Sequence, residues 1–548
     1  GFIAITHVSS WLNLPLATPE STAISLDYEF LPYYALRTAL RMFAAIGASL
    51  IFTFIYATLA AKSRRIGLLL IPLLDVLQSV PILGFLSFTV TFFLGLFPGS
   101  FLGAECAAVF AIFTSQAWNM AFSFYQSLRS VPRDLIEVAK GFGLSGWQKF
   151  WQLETPFAMP SLIWNMMMSM SGGWFFVVAS EAIAVGDTTI KLPGIGSYLA
   201  VAIEDKRIDA VFAAILTMFT VILTYDQLLF RPLVAFATRF RVELSAGQIQ
   251  EKSLVAQVFV RTRFLRWLMR GPTEIFQSVA LWRLESPLNP SAFLPRSTAA
   301  SRAIDLLWFI FVIAGTMWAG WLTVDYIGQF LSLADVWQSV LYTLITMLRV
   351  ILLMALATLV WVPTGVWIGL RPQLAEKVQP LAQFLAAFPA NVTFPVAVVL
   401  ILRYSLNPDI WLSFLIIFGT QWYILFNVIA GASAFPNDLK EMVANFRIRG
   451  WTWWKDVIIP AIFPYYVTGA LTASGGSWNA AIVAESVKWG NNTVSAHGIG
   501  AYIAEATAAG DYPRIVLGVA MMSIFVILFN RLFWRPLYGL AERRLRLD

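Results

Sequence analysis

Ser130–Pro160 reads SVPRDLIEVAKGFGLSGWQKFWQLETPFAMP, a long segment that is not mainly apolar in a chain that mostly is. Pro132 suits a first helical turn, where a missing N–H costs nothing, and Asp134 follows where negative charge favours a helix start. A short helix through Glu137, Val138 and Ala139 should end at Gly141, Gly143 and Gly146. A second short amphipathic piece, Trp147 to Leu153, should stop at Pro156. Two short helices joined by a glycine turn, set between apolar runs, read as a structured loop outside a bilayer.

The loop occurs twice. Ala434–Pro464 reads AFPNDLKEMVANFRIRGWTWWKDVIIPAIFP, and at a constant offset of 304 Pro132 matches Pro436, Asp134 matches Asp438 and Glu137 matches Glu441. Phe142, Gly146, Trp147, Pro156 and Pro160 match Phe446, Gly450, Trp451, Pro460 and Pro464. Arg231-Pro232-Leu233 recurs as Arg535-Pro536-Leu537, while near the start of each copy the offset is 308, with Thr38 and Arg41 matching Thr346 and Arg349. The chain is therefore a tandem duplication with a four-residue length difference inside the copies.

Glu137-Val138-Ala139, Gly143 six residues after the Glu, and Leu153-Glu154-Thr155-Pro156 resemble the EAA loop of binding-protein-dependent ABC importer permeases. The second copy departs from that pattern: Met442 and Val443 replace the alanines, and Arg447 stands where the glycine belongs. The tail of each copy resembles the nitrate/sulfonate/taurine group, in TQWYILFNVIAGASAFPNDLKE from Thr420 and in LPGIGSYLA from Leu192 against SAHGIGAYIA from Ser495. The resemblance implies a fused pair of type I importer domains, with coupling helices that dock on cytoplasmic ATPases. Glu137, Ala139, Gly143, Gly146 and Trp147 are the coupling candidates in copy one, and Glu441, Arg447, Gly450 and Trp451 in copy two. It further implies two ATPase subunits inside, which would carry the ATP and Mg, and a soluble or lipid-anchored substrate-binding protein outside. The solute it suggests is a small anion.

Composition bounds the class. Of 548 residues 58% are hydrophobic and 13% charged, and apolar runs of about 20 residues recur, long enough to cross a bilayer as helices. The chain reads as an all-α polytopic membrane protein, and the resemblance implies a prokaryotic inner (plasma) membrane. Cys106 is the sole cysteine and His7 and His497 the sole histidines, so no internal disulfide forms and no metal-ligand spacing is visible. No phosphate loop with its Lys and Ser/Thr is present, so ATP is expected on another protein and this chain is not expected to be an enzyme. The net charge of +7 points to cytoplasmic loops rather than to nucleic acid. The chain begins at Gly1 rather than Met and shows no cleavable signal, which leaves open whether residues precede Gly1.

Four segments follow. Residues 1–32 read as non-spanning; 33–230 as the first permease domain; 231–302 as a basic cytoplasmic linker; 303–548 as the second domain. The linker holds eleven Lys/Arg against four acids, and Val258–Met269 mixes arginines with aromatics in a way that suits either a helix on anionic lipid or a solvated basic segment. Spans are expected at about 33–60, 66–97 (one kinked helix with Pro72 and Pro81), 101–126, 157–184 and 209–230. The second half adds 304–324, then repeats with 337–370, 378–404, 410–433, 460–487 and 514–534. Five plus six spans put the N-terminus outside and the C-terminus, with Arg543, Arg544 and Arg546, inside.

A second shared feature follows each loop. Ser171-Gly172-Gly173-Trp174 runs on to Glu181, and Gly475-Gly476-Ser477-Trp478 runs on to Glu485. Paired glycines weaken a helix and let a backbone or a solute approach, so these segments, with Asn479, are candidates for a pathway wall; close helix packing is the equal alternative. Gln116, Gln421 and Arg349 are further intramembrane polar candidates, and Arg41 and Arg349 suit structural pairing at least as well as solute contact. Glu181 and Glu485 read better as structural hydrogen-bonding groups than as solute ligands. A secondary transporter with duplicated halves and an ATP-driven exporter remain as rivals, separable by co-purifying ATPases and by stimulation from an external binding protein.

Overall fold

The computed structural model describes residues 24–79, 81–97, 100–185, 188–230, 232–233, 278–282 and 298–544. Phe2–Val8, Val258–Met269 and Arg546 lie outside them. The first repeat opens with α1 (Leu31–Lys62), then α2 (Arg64–Ser79), a 3-10 turn at Ile82–Phe85 and α3 (Leu86–Leu96). It continues with α4 (Phe101–Arg129), α5 (Arg133–Gly141) and α6 (Gly146–Glu181). A hairpin of β1 (Ala182–Val185) and β2 (Thr188–Lys191) leads into α7 (Ile195–Glu204) and α8 (Ile208–Phe230).

The second repeat is preceded by an added helix, α9 (Thr298–Phe330). Then come α10 (Leu333–Gly369), α11 (Pro372–Ala387), a 3-10 turn at Ala390–Thr393 and α12 (Phe394–Arg403). They are followed by α13 (Pro408–Phe418), α14 (Gln421–Ser433), α15 (Asn437–Asn445) and α16 (Gly450–Ala484). The hairpin of β3 (Ser486–Trp489) and β4 (Asn492–Ser495), α17 (Ile499–Ala509) and α18 (Tyr512–Ala541) complete it. Element order is the same in both halves except that α4 corresponds to two helices, α13 and α14.

Eight helices among the described residues are long and apolar enough to cross a membrane, or ten if each of two bent pairs counts as one span. These account for ten of the about eleven expected spans, and 66–97 is the exception. Residues 66–97 are not one kinked helix: the backbone breaks after Ser79 and re-forms through a 3-10 turn. Its repeat, α11 with the segment after it, breaks at the same place and bends by 76°. Pro81 and Pro389 explain both breaks, since neither has an N–H to donate back along a helix, and Phe388, before Pro389, is extended at ψ 127°. The expected span 410–433 is also two helices, α13 and α14, meeting at 41°. There Gly419 lets Ala390 of the 3-10 turn approach; a Cβ on Gly419 would sit 2.8 Å from that of Ala390.

The second piece of each loop does not stop at its proline. α6 runs from the loop to Glu181 through a π turn at Phe150–Glu154, and α16 does so through Trp453–Ile458. The wider turn lets the last amide before each proline reach back five residues, Thr155 N–H to Phe150 O and Ile459 N–H to Trp454 O. The proline's missing donor is thereby absorbed without a stop. The hairpins were not foreseen. Ala182 pairs with Lys191 and Ser486 with Ser495 in antiparallel register, at the ends of the expected spans 157–184 and 460–487.

Each half packs around its own long helices. α1, α4 and α6 enclose Met42, Ile112, Met120, Phe124 and Trp174; α10, α14 and α16 enclose Val350, Ile424, Val428 and Trp478. The halves interlock through the broken segments. The 3-10 turn of the first repeat lies against α16 and α18, and that of the second against α6 and α8. The hairpins cross too: Gly490 N–H of the second donates to Ile203 O of α7 in the first, at 2.9 Å. α9 stands apart: none of its most apolar stretch is buried, as suits a helix facing lipid.

Candidate functional site

The loops come first. In α5 Glu137 and Val138 face solvent while Ala139 is buried, and in α15 Glu441 and Met442 are exposed while Val443 is buried. The alternation follows from helical spacing on a surface helix. Gly143 closes the first loop at φ 64°, and Arg447, its counterpart, holds φ 50°. Copy two therefore keeps the left-handed turn without the residue that makes it easy. Gly146 starts α6 behind a capping box from Ser145 and Gln148. Gly450 instead takes φ 66° behind Arg449, whose side chain caps nothing. Trp147 is half-buried, its indole N–H donating to Val279 O at 2.7 Å, whereas Trp451 is 72% exposed.

The glycine segments lie inside unbroken helix in both copies. Irregular backbone lies next to them, in the two 3-10 turns. Asn479 Oδ1 accepts the Ile82 N–H at 2.8 Å, and its amide nitrogen donates to Gly475 O at 3.3 Å. Phe175 occupies the matching position, and its backbone carbonyl accepts Asn391 Nδ2 at 3.1 Å. Each break is thus pinned by one hydrogen bond to the glycine-bearing helix of the other half. The amide of Asn479 is engaged there rather than pointed at a solute.

The glycines themselves differ. Around Gly172 no atom lies within 4 Å of where a Cβ would stand, while Gly476, its match, would place one 2.7 Å from Thr420 Cγ2. Gly173 packs under Gln116, whose Nε2 would be 2.7 Å from a Cβ there. Gln116 is fully buried in α4 and matches Thr420, as Gly173 matches Ser477. Copy two fills the same junction with two mid-sized hydroxyl residues, Thr420 and Ser477, 3.0 Å apart. A large–small pair has been exchanged for a medium–medium pair, which conserves volume. Ser171 is buried and donates back to Met167 O at 3.3 Å. Trp174 and Trp478 are buried in the cores of their own halves. Gln421 accepts the Trp361 indole N–H at 3.0 Å.

Arg349 is not brought to the glycine segments. It binds Glu485, nine residues past Gly476 and so about 13 Å further along α16. Its site is one of two matched clusters. Glu181 accepts from Thr38 (2.7 Å), Arg41 (2.6 Å) and the Gly196 N–H (2.7 Å). Glu485 accepts from Thr346 (2.8 Å), Arg349 (2.5 Å) and the Gly500 N–H (2.7 Å). Both carboxylates are fully buried, and a Cβ on Gly194 or Gly498 would overlap them, so the LPGIG and AHGIG strings are cradles. These groups lock the helix ends and the following turn together. Glu105 completes the first cluster with two bonds to Arg41, at 2.6 and 2.7 Å, and one to Arg37 at 3.1 Å. Asp409 takes that place in the second, 3.6 Å from Arg349 and 3.0 Å from His497 Nδ1. Sequence reading missed both acids, although Glu105 and Asp409 stand exactly 304 apart and the repeat alone could have flagged them.

With this geometry in view, comparison with known proteins finds the same duplication. The model of a family described as "Binding-protein-dependent transport system inner membrane component" matches residues 34–230 and again 361–547. The bicarbonate transport system permease protein CmpB of Synechococcus elongatus is 29% identical over 195 residues, 36% of this chain and 66% of that protein. CmpB of Synechocystis sp. is 30% identical over 196 residues, covering 36% and 65%. The nitrate import permease protein NrtB of Leptolyngbya laminosa is 25% identical over 177 residues, covering 32% and 60%. The match spans a little under two thirds of the length of each of these relatives.

Proposed function

Because the chain belongs to the family of binding-protein-dependent transport system inner membrane components, as a multi-pass protein with that domain in tandem, we propose that it supplies both permease halves of one ATP-driven importer. The observation that carries this reading is the reciprocal pinning of each broken segment by the other half, Asn479 to Ile82 and Asn391 to Phe175. Two halves joined that way enclose a shared seam lined by matched segments, as a solute route at a pseudo-twofold axis requires.

In this reading the loops at α5 and α15 dock two cytoplasmic ATPase subunits, which bind the ATP and Mg. A soluble or lipid-anchored binding protein delivers solute at the opposite face, where the hairpins, α7 and α17 lie. The linker is cytoplasmic. The relatives named for bicarbonate and nitrate support a small oxyanion as cargo. Energy reaches the seam mechanically: α6 and α16 are each continuous from loop to glycine segment, so a push on a loop is carried along a helix to the partner's break.

The test is purification of the native complex. ATPase subunits should co-purify, and in proteoliposomes their turnover should rise when binding protein loaded with bicarbonate or nitrate is added, with labelled anion taken up. Solute flux without any ATPase subunit would favour a secondary transporter. Flux in the opposite direction would favour an exporter.

A further inference from the structure

The two docking loops are not equivalent, and the cause is a segment of the linker. Residues 278–282 lie against the first loop. The Trp147 indole donates to Val279 O at 2.7 Å, and Gln148 Nε2 donates to Leu281 O at 2.9 Å. Gln148 serves two partners at once, because its Oε1 accepts the Ser145 N–H at 3.0 Å and so closes the capping box at the start of α6. Gln148 and Ala280 are each only 8% exposed, so the contact excludes solvent. Leu281 and Trp282, by contrast, turn outward, 59% and 56% exposed.

Nothing in the second loop can repeat this. Thr452 stands where Gln148 does and is too short to hold a cap and a carbonyl together; Arg449 replaces Ser145, and the Trp451 indole is exposed. The difference is written in side chains, not in loop length.

We propose that residues 278–282 are a built-in part of the first loop, and that loop and linker form one composite docking surface for a cytoplasmic ATPase subunit. Leu281 and Trp282 are its apolar contact residues, and the second loop docks its ATPase alone. The proposal rests on the reading of the loops as ATPase docking sites. Its consequence is orientation: an ATPase bound at the first loop meets a surface that one at the second does not, so the two sites select different subunits or hold one subunit with different strength.

Single cysteines at Phe142, Phe446, Leu281 and Trp282, in a Cys106→Ser background, test this in the complex assembled with its ATPases. A cysteine-to-lysine crosslinker is applied, and adducts are scored by mass. Leu281→Cys and Trp282→Cys should yield ATPase adducts at levels similar to Phe142→Cys. Combining Gln148→Ala with Ala280→Asp should cut the linker adducts at least fivefold and leave the Phe142→Cys adduct. Adducts from Phe142→Cys and Phe446→Cys without any from the linker would overturn the proposal and leave the docking reading standing. Linker adducts indifferent to the double substitution would also overturn it, since the loop would not be what holds the segment. Absence of adducts at all four positions would remove the docking reading and the proposal with it.

Discussion

Asn479 and Ile82, 397 residues apart in sequence, meet at 2.8 Å, the side-chain carbonyl of one accepting the backbone N–H of the other. The bond satisfies a donor that the break at Pro81 strips of its helical partner. Its reciprocal, Asn391 to Phe175, is weaker in consequence, because the Phe175 carbonyl lies within unbroken α6 and has an intrahelical donor as well.

Asn479→Leu should therefore cost more than Asn391→Leu. The first leaves a buried N–H without an acceptor, at about 1–3 kcal/mol, while the second removes one of two bonds to a carbonyl. The broken segment of the first repeat would loosen, and ATPase turnover would lose its dependence on binding protein. The ratio of stimulated to basal ATPase activity should fall severalfold for Asn479→Leu and little for Asn391→Leu. Equal falls would contradict the asymmetry.

The two ionic clusters predict unequal damage in the opposite direction. After Glu181→Ala, Arg41 keeps both bonds to Glu105. After Glu485→Ala, Arg349 retains the partly exposed Asp409 as its sole described carboxylate, at 3.6 Å, beside the neutral His497 carbonyl at 3.1 Å. Leaving a buried guanidinium poorly paired costs about 3–5 kcal/mol. Thermal unfolding in detergent should show the lower midpoint for Glu485→Ala, and Asp409→Ala combined with it should lower the midpoint further. If Glu181→Ala is the more damaging, Glu105 does not compensate.

Arg447 at φ 50° carries strain that Gly143 at φ 64° does not. A left-handed non-glycine residue costs about 1–2 kcal/mol. Arg447→Gly should protect the second loop from proteolysis, and Gly143→Ala should expose the first. The latter penalty is purely conformational, since nothing lies within 4 Å of a Cβ there. Cleavage rates that do not move in opposite directions would count against it.

The exposed carboxylates of the loops give a direct reading of coupling. Glu137 sits on a loop held by linker and capping box, Glu441 on one that has neither among the described residues. Substituting each by Ala should lower transport unequally, with the larger loss at Glu441, where no second contact surface remains. Equal losses in uptake assays would argue that the copies couple alike.

How much of this was legible in sequence depends on the range of the interaction. The duplication, the loops and the long helices were readable, because repeats, glycine turns and apolar runs are local signals. Glu137, Ala139 and Gly143 fell where their spacing placed them. Of the two breaks only the first was seen, as a kink with Pro72 and Pro81; that each helix re-forms through a turn held by Asn479 or Asn391, far away in sequence, was not. The hairpins were hidden because β1 to β4 have four residues each, too little length for an alternation to register. Trp147 and Trp451 look identical in sequence; only Gln148 against Thr452 hints that one is covered.

Gly172 offers the cleanest test of the solute route. Its side of α6 is open, with no atom within 4 Å of a Cβ, and Phe175, three residues on and so on the same face, is where Asn391 of the other half attaches. The open space therefore lies towards the seam between the halves. Gly172→Ala should fold normally and gain about 0.5–1 kcal/mol from helix propensity. Gly172→Trp should fill the space, reducing anion uptake at least tenfold while ATPase subunits still co-purify, because the loops begin some 26 residues earlier in α6. The matched Gly476→Trp is no substitute, since it would collide with Thr420 and disturb packing before it reached any route. If Gly172→Trp assembles and transports at the parent rate, the seam at this level carries no solute, and the route must be sought nearer Gln116 and Gln421.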